Sequence, residues 1–270
     1  MRPDATLKTA LVTGACSGIG REVARELAAL GYALVLVSNR EEPLGAVARE
    51  LRAAHGIAVH ALVMDLARAD AAPLLVERVR ALGVDVDILV NNAGFFFFGE
   101  VADADPANAT AMVTLHVLTP SLLCTAFAKG MRDRRAGHVL FVSSISAWKF
   151  FPGIAYYSAT KRYLRGFAAS LRSELKPYGV NVTCLAPGAT ATGLYAQTGA
   201  PVEVGRRLGV MMDARVVARA GLRAMFARRA VCIPGIGTRA MLGLALLTPP
   251  FVIDLVRRYG PWLKPAPPSR

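Results

Sequence analysis

The chain has 270 residues, of which 54% are apolar and 19% charged, a composition that supports a large buried core and excludes a disordered chain. Its cysteines, at 16, 124, 184 and 232, include no CxxC pair, and its histidines, at 55, 60, 116 and 138, no HxxxH or HExxH pair, so neither a disulfide framework nor a metal site is expected. The formal net charge is +13, and twelve basic residues stand against three acidic ones after position 200; a solvated basic face, an anionic membrane or an acidic substrate would each fit, but no interleaving of aromatic and basic residues points to nucleic acid.

Met1-Arg2-Pro3-Asp4 leads into an apolar run that ends at Thr13-Gly14, too short for the core of a secretory leader, and the expected location is cytoplasmic. Ala10–Val12 reads as a first strand. Ile19–Leu30 has helical spacing with Val23, Leu27 and Leu30 on one face, and Gly31 is placed to end it. Ala33–Val37 reads as a buried strand, Glu42–Ala54 as a charged helix, and Val59–Met64, Ile88–Val90 and Val139–Val142 as three more strands. A long helix is expected over Ala155–Pro177, a strand over Val180–Leu185 and a short seventh strand over Val231–Ile233. Continuous apolar strands separated by helices make an α/β fold, a single doubly wound parallel sheet with helices on both faces. Such a sheet binds ligands at the carboxyl ends of its strands. The segment Met241–Val256 is nearly all apolar but is interrupted by Pro249-Pro250 and Asp254, which disfavours a bilayer-crossing helix. Two readings stay open for it: a lid or dimer contact packed on the body, or a peripheral membrane contact helped by Arg239, Arg257 and Arg258.

The first strand is followed by Thr13-Gly14-Ala15-Cys16-Ser17-Gly18-Ile19-Gly20, which opens a helix. Its glycines let the chain turn tightly and let a pyrophosphate approach the backbone, while the helix start offers free N–H groups and a positive dipole. The Thr-Gly-x3-Gly-x-Gly spacing is wider than the usual dinucleotide fingerprint and resembles that of the short-chain dehydrogenase/reductase family. The likeness continues, in the family's order, through Asp65-Leu66, Asn91-Asn92-Ala93-Gly94, Ser144, Tyr157-Ser158-Ala159-Thr160-Lys161 and Pro187-Gly188-Ala189-Thr190-Ala191-Thr192. It implies a Rossmann-like fold and an NAD(P)-dependent oxidoreductase. It further implies that Gly14, Ser17, Gly18, Ile19 and Gly20 receive the pyrophosphate and that Asp65 and Leu66 meet the adenine. Asn92, Ala93 and Gly94 would also face the cofactor, and Pro187, Gly188, Thr190 and Thr192 would hold the nicotinamide carboxamide. Tyr157 and Lys161 would touch it too, Lys161 at the nicotinamide ribose. Residues 1–237 are then the dinucleotide-binding catalytic domain with its substrate loop, and 238–270 a basic, apolar extension of the same domain.

The end of the second strand bears on cofactor choice. NAD-preferring relatives carry Asp where Ser38 stands; an acid there binds a ribose 2′-OH and repels a 2′-phosphate. Here Ser38 and Asn39 can donate hydrogen bonds and Arg40 can reach a phosphate. NADP(H) is expected over NAD(H), although Glu41 and Glu42 follow at once.

Tyr157 and Lys161 are four residues apart on a helix, so both side chains face the same way. A free phenol titrates near ~10, and a neighbouring ammonium favours its anion. Tyr157 is thus the expected proton donor to a carbonyl during hydride delivery, and the acceptor in reverse. Ser144 is expected to fix the substrate oxygen, and Tyr156 to point elsewhere. Where the family has an Asn supporting a proton relay through water, this chain has His116. His116 is a fourth catalytic candidate, and activity is expected to survive His116→Asn.

Phe95-Phe96-Phe97-Phe98 and Trp148, Phe150, Phe151 and Pro152 flank the expected site. They suggest an apolar small-molecule carbonyl or alcohol substrate, unless the rings pack beneath the loops or at a subunit interface. The stretch from Met211 to Gly235 resembles a broad family subgroup poorly resolved by substrate. Homo-oligomerisation through the long catalytic helix is what the family implies. The competing reading is a catalytically idle dinucleotide-binding sensor or membrane-surface protein, against which the intact Ser144, Tyr157 and Lys161 argue. No GxSxG or GKS/GKT motif supports a serine hydrolase or a P-loop enzyme.

Overall fold

Seven apolar runs become one parallel sheet in the computed structural model, which describes residues 8–149, 151–192, 211–249 and 252. In chain order the strands are β1 (Thr9–Thr13), β2 (Ala33–Ser38), β3 (Val59–Val63), β4 (Val86–Asn91), β5 (Gly137–Val142), β6 (Val180–Leu185), β7 (Thr190–Ala191), β8 (Met212–Asp213) and β9 (Val231–Cys232). The large sheet runs β3-β2-β1-β4-β5-β6-β9, and β7 pairs with β8 apart from it. Every ladder of the large sheet is parallel, so each connection must cross over a face, and helices supply the crossovers. The order reverses between β1 and β4, which opens a crevice at the carboxyl edge.

The described helices are α1 (Gly18–Ala29), α2 (Glu41–His55), α3 (Ala71–Ala81), α4 (Pro106–Val113), α5 (Thr119–Asp133), α6 (Ala155–Leu175), α7 (Ala214–Phe226) and α8 (Ile236–Leu247). Alternation along the strands sorts the core into two layers. Ala10, Val12, Leu34 and Leu36 pack with Val23 and Leu27 of α1, Leu44 and Leu51 of α2 and Leu222 of α7. Leu11, Val35 and Val37 point the other way, into Leu75 of α3, Leu123 of α5 and Leu164 of α6. That double burial is why these strands read as unbroken apolar runs.

One helix face differs from expectation. Val23 and Leu27 are fully buried, but Leu30 is 60% exposed. It is the C-cap, where the chain leaves helical geometry. Gly31, at φ +82°, donates to the Ala28 carbonyl and Tyr32 to that of Leu27, a Schellman closure that turns Leu30 outward. The long helix ends at Leu175, and the Lys-Pro-Tyr that follows forms a 3₁₀ turn, since Pro177 cannot continue the α-helical ladder. Between α4 and α5 the chain makes a π-turn over Thr114–Leu118. The combined helix Pro106–Asp133 is long and apolar enough to cross a membrane, but its buried Met112, His116, Leu123 and Met131 belong to the interior of this fold.

Of the apolar segment near the end of the chain, α8 covers the first part. Thr238 and Leu242 are buried, whereas Ile236, Leu244 and Leu247 stand out to solvent. Lys149 Nζ donates to the Thr248 carbonyl at 2.7 Å and ties the end of α8 to the loop after β5. Asp254, Arg257 and Arg258 lie outside the described residues.

Candidate active site

The floor of the crevice is built from β1 and β4. Thr13 Oγ1 donates to the Val90 carbonyl and accepts from the N–H groups of Asn92 and Ala93, each at 3.0 Å. Asn92 Nδ2 returns the favour, donating to the carbonyls of Thr13 at 2.9 Å and Gly14 at 3.2 Å. The Asn92 amide thus shapes the glycine turn. Gly20 packs so closely into this knot that a Cβ would overlap the Gly14 carbonyl oxygen and Asn92 Nδ2. Ser17 is the N-cap of α1 but its side chain makes no cap bond, so that helix start offers its N–H groups to an anion.

At the end of β2, Ser38 is buried and Arg40 swings back over the glycine turn. Arg40 Nη2 donates to Ser17 Oγ at 2.7 Å and to Cys16 Sγ at 3.0 Å. Asp65 accepts from the Ala67 N–H at 3.0 Å, and the Leu66 carbonyl accepts from Thr119 Oγ1.

The catalytic candidates converge from β5, α6 and the π-turn. Lys161 is buried, and its Nζ donates to the Val142 carbonyl at 3.0 Å while standing 5.5 Å from the centre of the Tyr157 ring. Burial lowers the Lys161 pKa to about 8. Ser143 Oγ donates to the Lys161 carbonyl at 2.8 Å and locks β5 to α6. Ser144 caps the 3₁₀ turn that follows, its Oγ accepting from the Ser146 N–H.

His116 is fully enclosed. The Phe95 N–H donates to Nε2 at 3.2 Å, so the proton sits on Nδ1, which lies 3.0 Å from Thr160 Oγ1. Thr160 in turn donates to the Tyr157 carbonyl. Burial, and then the Lys161 charge, holds the His116 pKa well below the usual imidazole range. Gly94 faces the ring so closely that a Cβ would lie 2.7 Å from Nε2.

These parts line one cavity of about 590 Å³, within the range of small-molecule and cofactor sites. Gly14, Ser17, Gly18, Ile19, Ser38, Asn39, Arg40, Asp65 and Leu66 line one end. Asn92, Ala93, Gly94, His116, Ser144, Tyr157, Lys161, Pro187, Gly188, Thr190 and Thr192 line the rest. Gly20 lies behind the wall. The aromatic run divides. Phe96 lines the cavity, edge-on to Tyr157 with ring centres 5.0 Å apart. Phe95 also lines it while packing on His116. Phe97 turns to Tyr156, and the Phe98 ring presses on Gly153. Trp148 lies under the Arg165 guanidinium rather than in the cavity. Phe150 is outside the described residues. Ser143 and Asn108 also line the cavity although no motif position singled them out; a hydroxyl at the carboxyl end of a strand was the available signal for Ser143.

The short chain dehydrogenase family model matches residues 8–202, which is most of the chain and includes every element just described up to Thr192. The chain belongs to the short-chain dehydrogenase/reductase family. It is an oxidoreductase of that family with the Rossmann-type sheet. A protein of Bacillus subtilis named as an uncharacterized oxidoreductase is 35% identical over 191 residues, covering 70% of this chain and 78% of its own. A short-chain dehydrogenase from Sphingobium yanoikuyae, solved in complex with NADPH, superposes with a TM-score of 0.79 at 30% identity, covering 93% of this chain and 94% of its own. The bulky-bulky ketone specific alcohol dehydrogenase from Comamonas testosteroni superposes at 0.76 with 25% identity, covering 90% and 96%.

Proposed function

We propose that the protein interconverts a carbonyl and an alcohol on an apolar small molecule, with NADP(H) as hydride carrier. The observation that carries this reading is the buried Lys161 ammonium beside the Tyr157 ring, on the wall of a cavity whose far end holds Arg40. The residues fit a dinucleotide. The glycine turn leaves no room for side chains where a pyrophosphate would approach, α1 points its N–H groups there, and Arg40, Ser38 and Asn39 present donors and no carboxylate. When bound, the cofactor supplies or accepts the hydride.

Tyr157 holds the proton that the substrate oxygen gains on reduction and takes it back on oxidation. Lys161 favours the phenolate by its charge. Fixed by the Val142 carbonyl, it does so without reorganising. Ser144 orients the substrate oxygen. His116 acts here as a positioning residue: both ring nitrogens are engaged, so it holds the Phe95 loop to α6 rather than passing protons. Phe96 against Tyr157 gives the substrate an apolar neighbour, and the ketone named for the Comamonas relative is of the same bulky kind. Turnover of NADPH with bulky apolar ketones, and its loss of at least ~10³-fold in Tyr157→Phe with NADPH binding retained, is the expected result. A Tyr157→Phe enzyme with near-normal turnover would overturn the assignment. NADPH binding with no turnover by the unaltered protein on any ketone, aldehyde or acyl thioester tested would favour the idle sensor.

A further inference from the structure

Among the described residues, Arg40 is the one strongly basic side chain on the adenosine end of the cavity, and it could not select a phosphate unless it were aimed. Its backbone gives little help, because Arg40 is the extended residue that precedes α2, and a long side chain there loses much rotamer freedom on being fixed. Two contacts fix it. Nη2 spends both of its protons, one on Ser17 Oγ and one on Cys16 Sγ. Cys16 is buried, and its sulfur also accepts from Ser38 Oγ at 2.9 Å, while Ser38 Oγ accepts from the Arg40 N–H at 3.3 Å. Sulfur, hydroxyl and guanidinium thus form a closed ring of contacts across the end of β2. Nε and Nη1, with three N–H groups between them, have no partner among the described residues and remain for a ligand. Arg40 forms no ion pair with Glu41 or Glu42, which sit exposed in the first turn of α2, where the helix dipole accommodates them.

We propose that Cys16 is a positioning residue for cofactor selection, holding Arg40 and Ser38 in the arrangement that receives a 2′-phosphate. The chemistry explains why a thiol serves. A carboxylate at this position would grip Arg40 more firmly but cancel its charge towards a dianion. An aliphatic side chain would leave the guanidinium without its second anchor. A neutral sulfur accepts weakly, leaves the full positive charge for the phosphate, and tolerates burial. The proposal rests on the reading that Arg40 meets the 2′-phosphate, and the test separates the two.

Calorimetric titration with adenosine 2′,5′-bisphosphate and with 5′-AMP reads the adenosine end without turnover. The unaltered protein should prefer the bisphosphate, and Arg40→Ala should abolish the preference. Cys16→Ala should weaken the bisphosphate about 5- to 10-fold, the size expected for losing one hydrogen bond that orders a charged group, and change 5′-AMP less than about 2-fold. Cys16→Ser, which can still accept from Arg40, should recover most of the loss. An unchanged bisphosphate affinity in Cys16→Ala, or an equal loss for both ligands, overturns the role of Cys16 while leaving that of Arg40. Equal affinities for the two ligands in the unaltered protein overturn the Arg40 reading itself.

Discussion

His116 and Lys161 are both buried, and burial acts on them in the same direction, against the charged form. For His116 the consequence is a neutral ring throughout the physiological range. His116→Asn keeps a group able to accept from the Phe95 N–H, so kcat should stay within about 10-fold and its pH profile should overlay that of the unaltered enzyme between pH ~6 and ~8. His116→Ala leaves that N–H and Thr160 without their partner and should raise KM for bulky ketones as the Phe96 loop loosens. For Lys161 the consequence is a stability cost. The fall from 10.5 to about 8 corresponds to roughly 3 kcal/mol against the folded, protonated state. Between those two values the unfolded chain holds more protons at this site than the folded one, so this contribution makes stability rise with pH across the window. Lys161→Met should therefore abolish turnover yet raise Tm by about 5 °C at pH 7, after the lost bond to Val142 is allowed for. The gain should fade as pH rises from 8 to 10.5, above which the unaltered lysine is neutral in both states. A Tm difference that is independent of pH would contradict the burial argument.

Among the elements, α6 carries two of the catalytic candidates, Tyr157 and Lys161, and also ties the architecture together. Its Arg172 reaches the Asn181 side chain, the Val182 carbonyl at 3.0 Å and the Arg228 carbonyl at 2.8 Å, so one guanidinium staples α6, β6 and the turn before β9. Arg172→Met should destabilise the fold by about 2 kcal/mol in urea unfolding, because three acceptors lose a charged donor. The sheet was legible in the sequence because its strands are buried on both faces, and an apolar run of five or six residues bounded by glycine needs no partner to be recognised. Tyr157, Lys161 and Ser144 stood out as candidates for a different reason, the resemblance of their spacing to the family's motifs, and the fold brings all three to one cavity. What stayed hidden is what depends on distant contacts. Leu30 fits the apolar stripe of α1, yet the capping geometry of Gly31 decides its exposure. The four phenylalanines are alike in sequence, and only the approach of Tyr156, Tyr157 and Gly153 sorts Phe96 from its neighbours. The bond from Cys16 to Arg40 spans 24 residues, and a thiol has no composition signal that would announce it.

At the scale of the whole molecule, the cavity draws on β1, β2, β4, β5 and β6 and the loops beyond them. A ligand that spans it should stabilise the whole sheet. NADPH at about 100 times its Kd should add about 2.7 kcal/mol, read as a Tm rise of about 5–10 °C, and NADH at the same concentration should add less. The Thr13–Asn92 knot adds a temporal constraint. Residues 13 and 92 meet only when β4 lies down beside β1, across a separation of 79 residues, whereas β2 can pair with β1 after a single helix. Long-range pairings of this kind are costly to close and form late. The crevice is therefore absent from any half-assembled chain. In a refolding reaction, NADPH fluorescence enhancement should lag behind the return of helical signal, and a chain stalled with β1, β2 and β3 joined would hold the glycine motif intact and bind nothing.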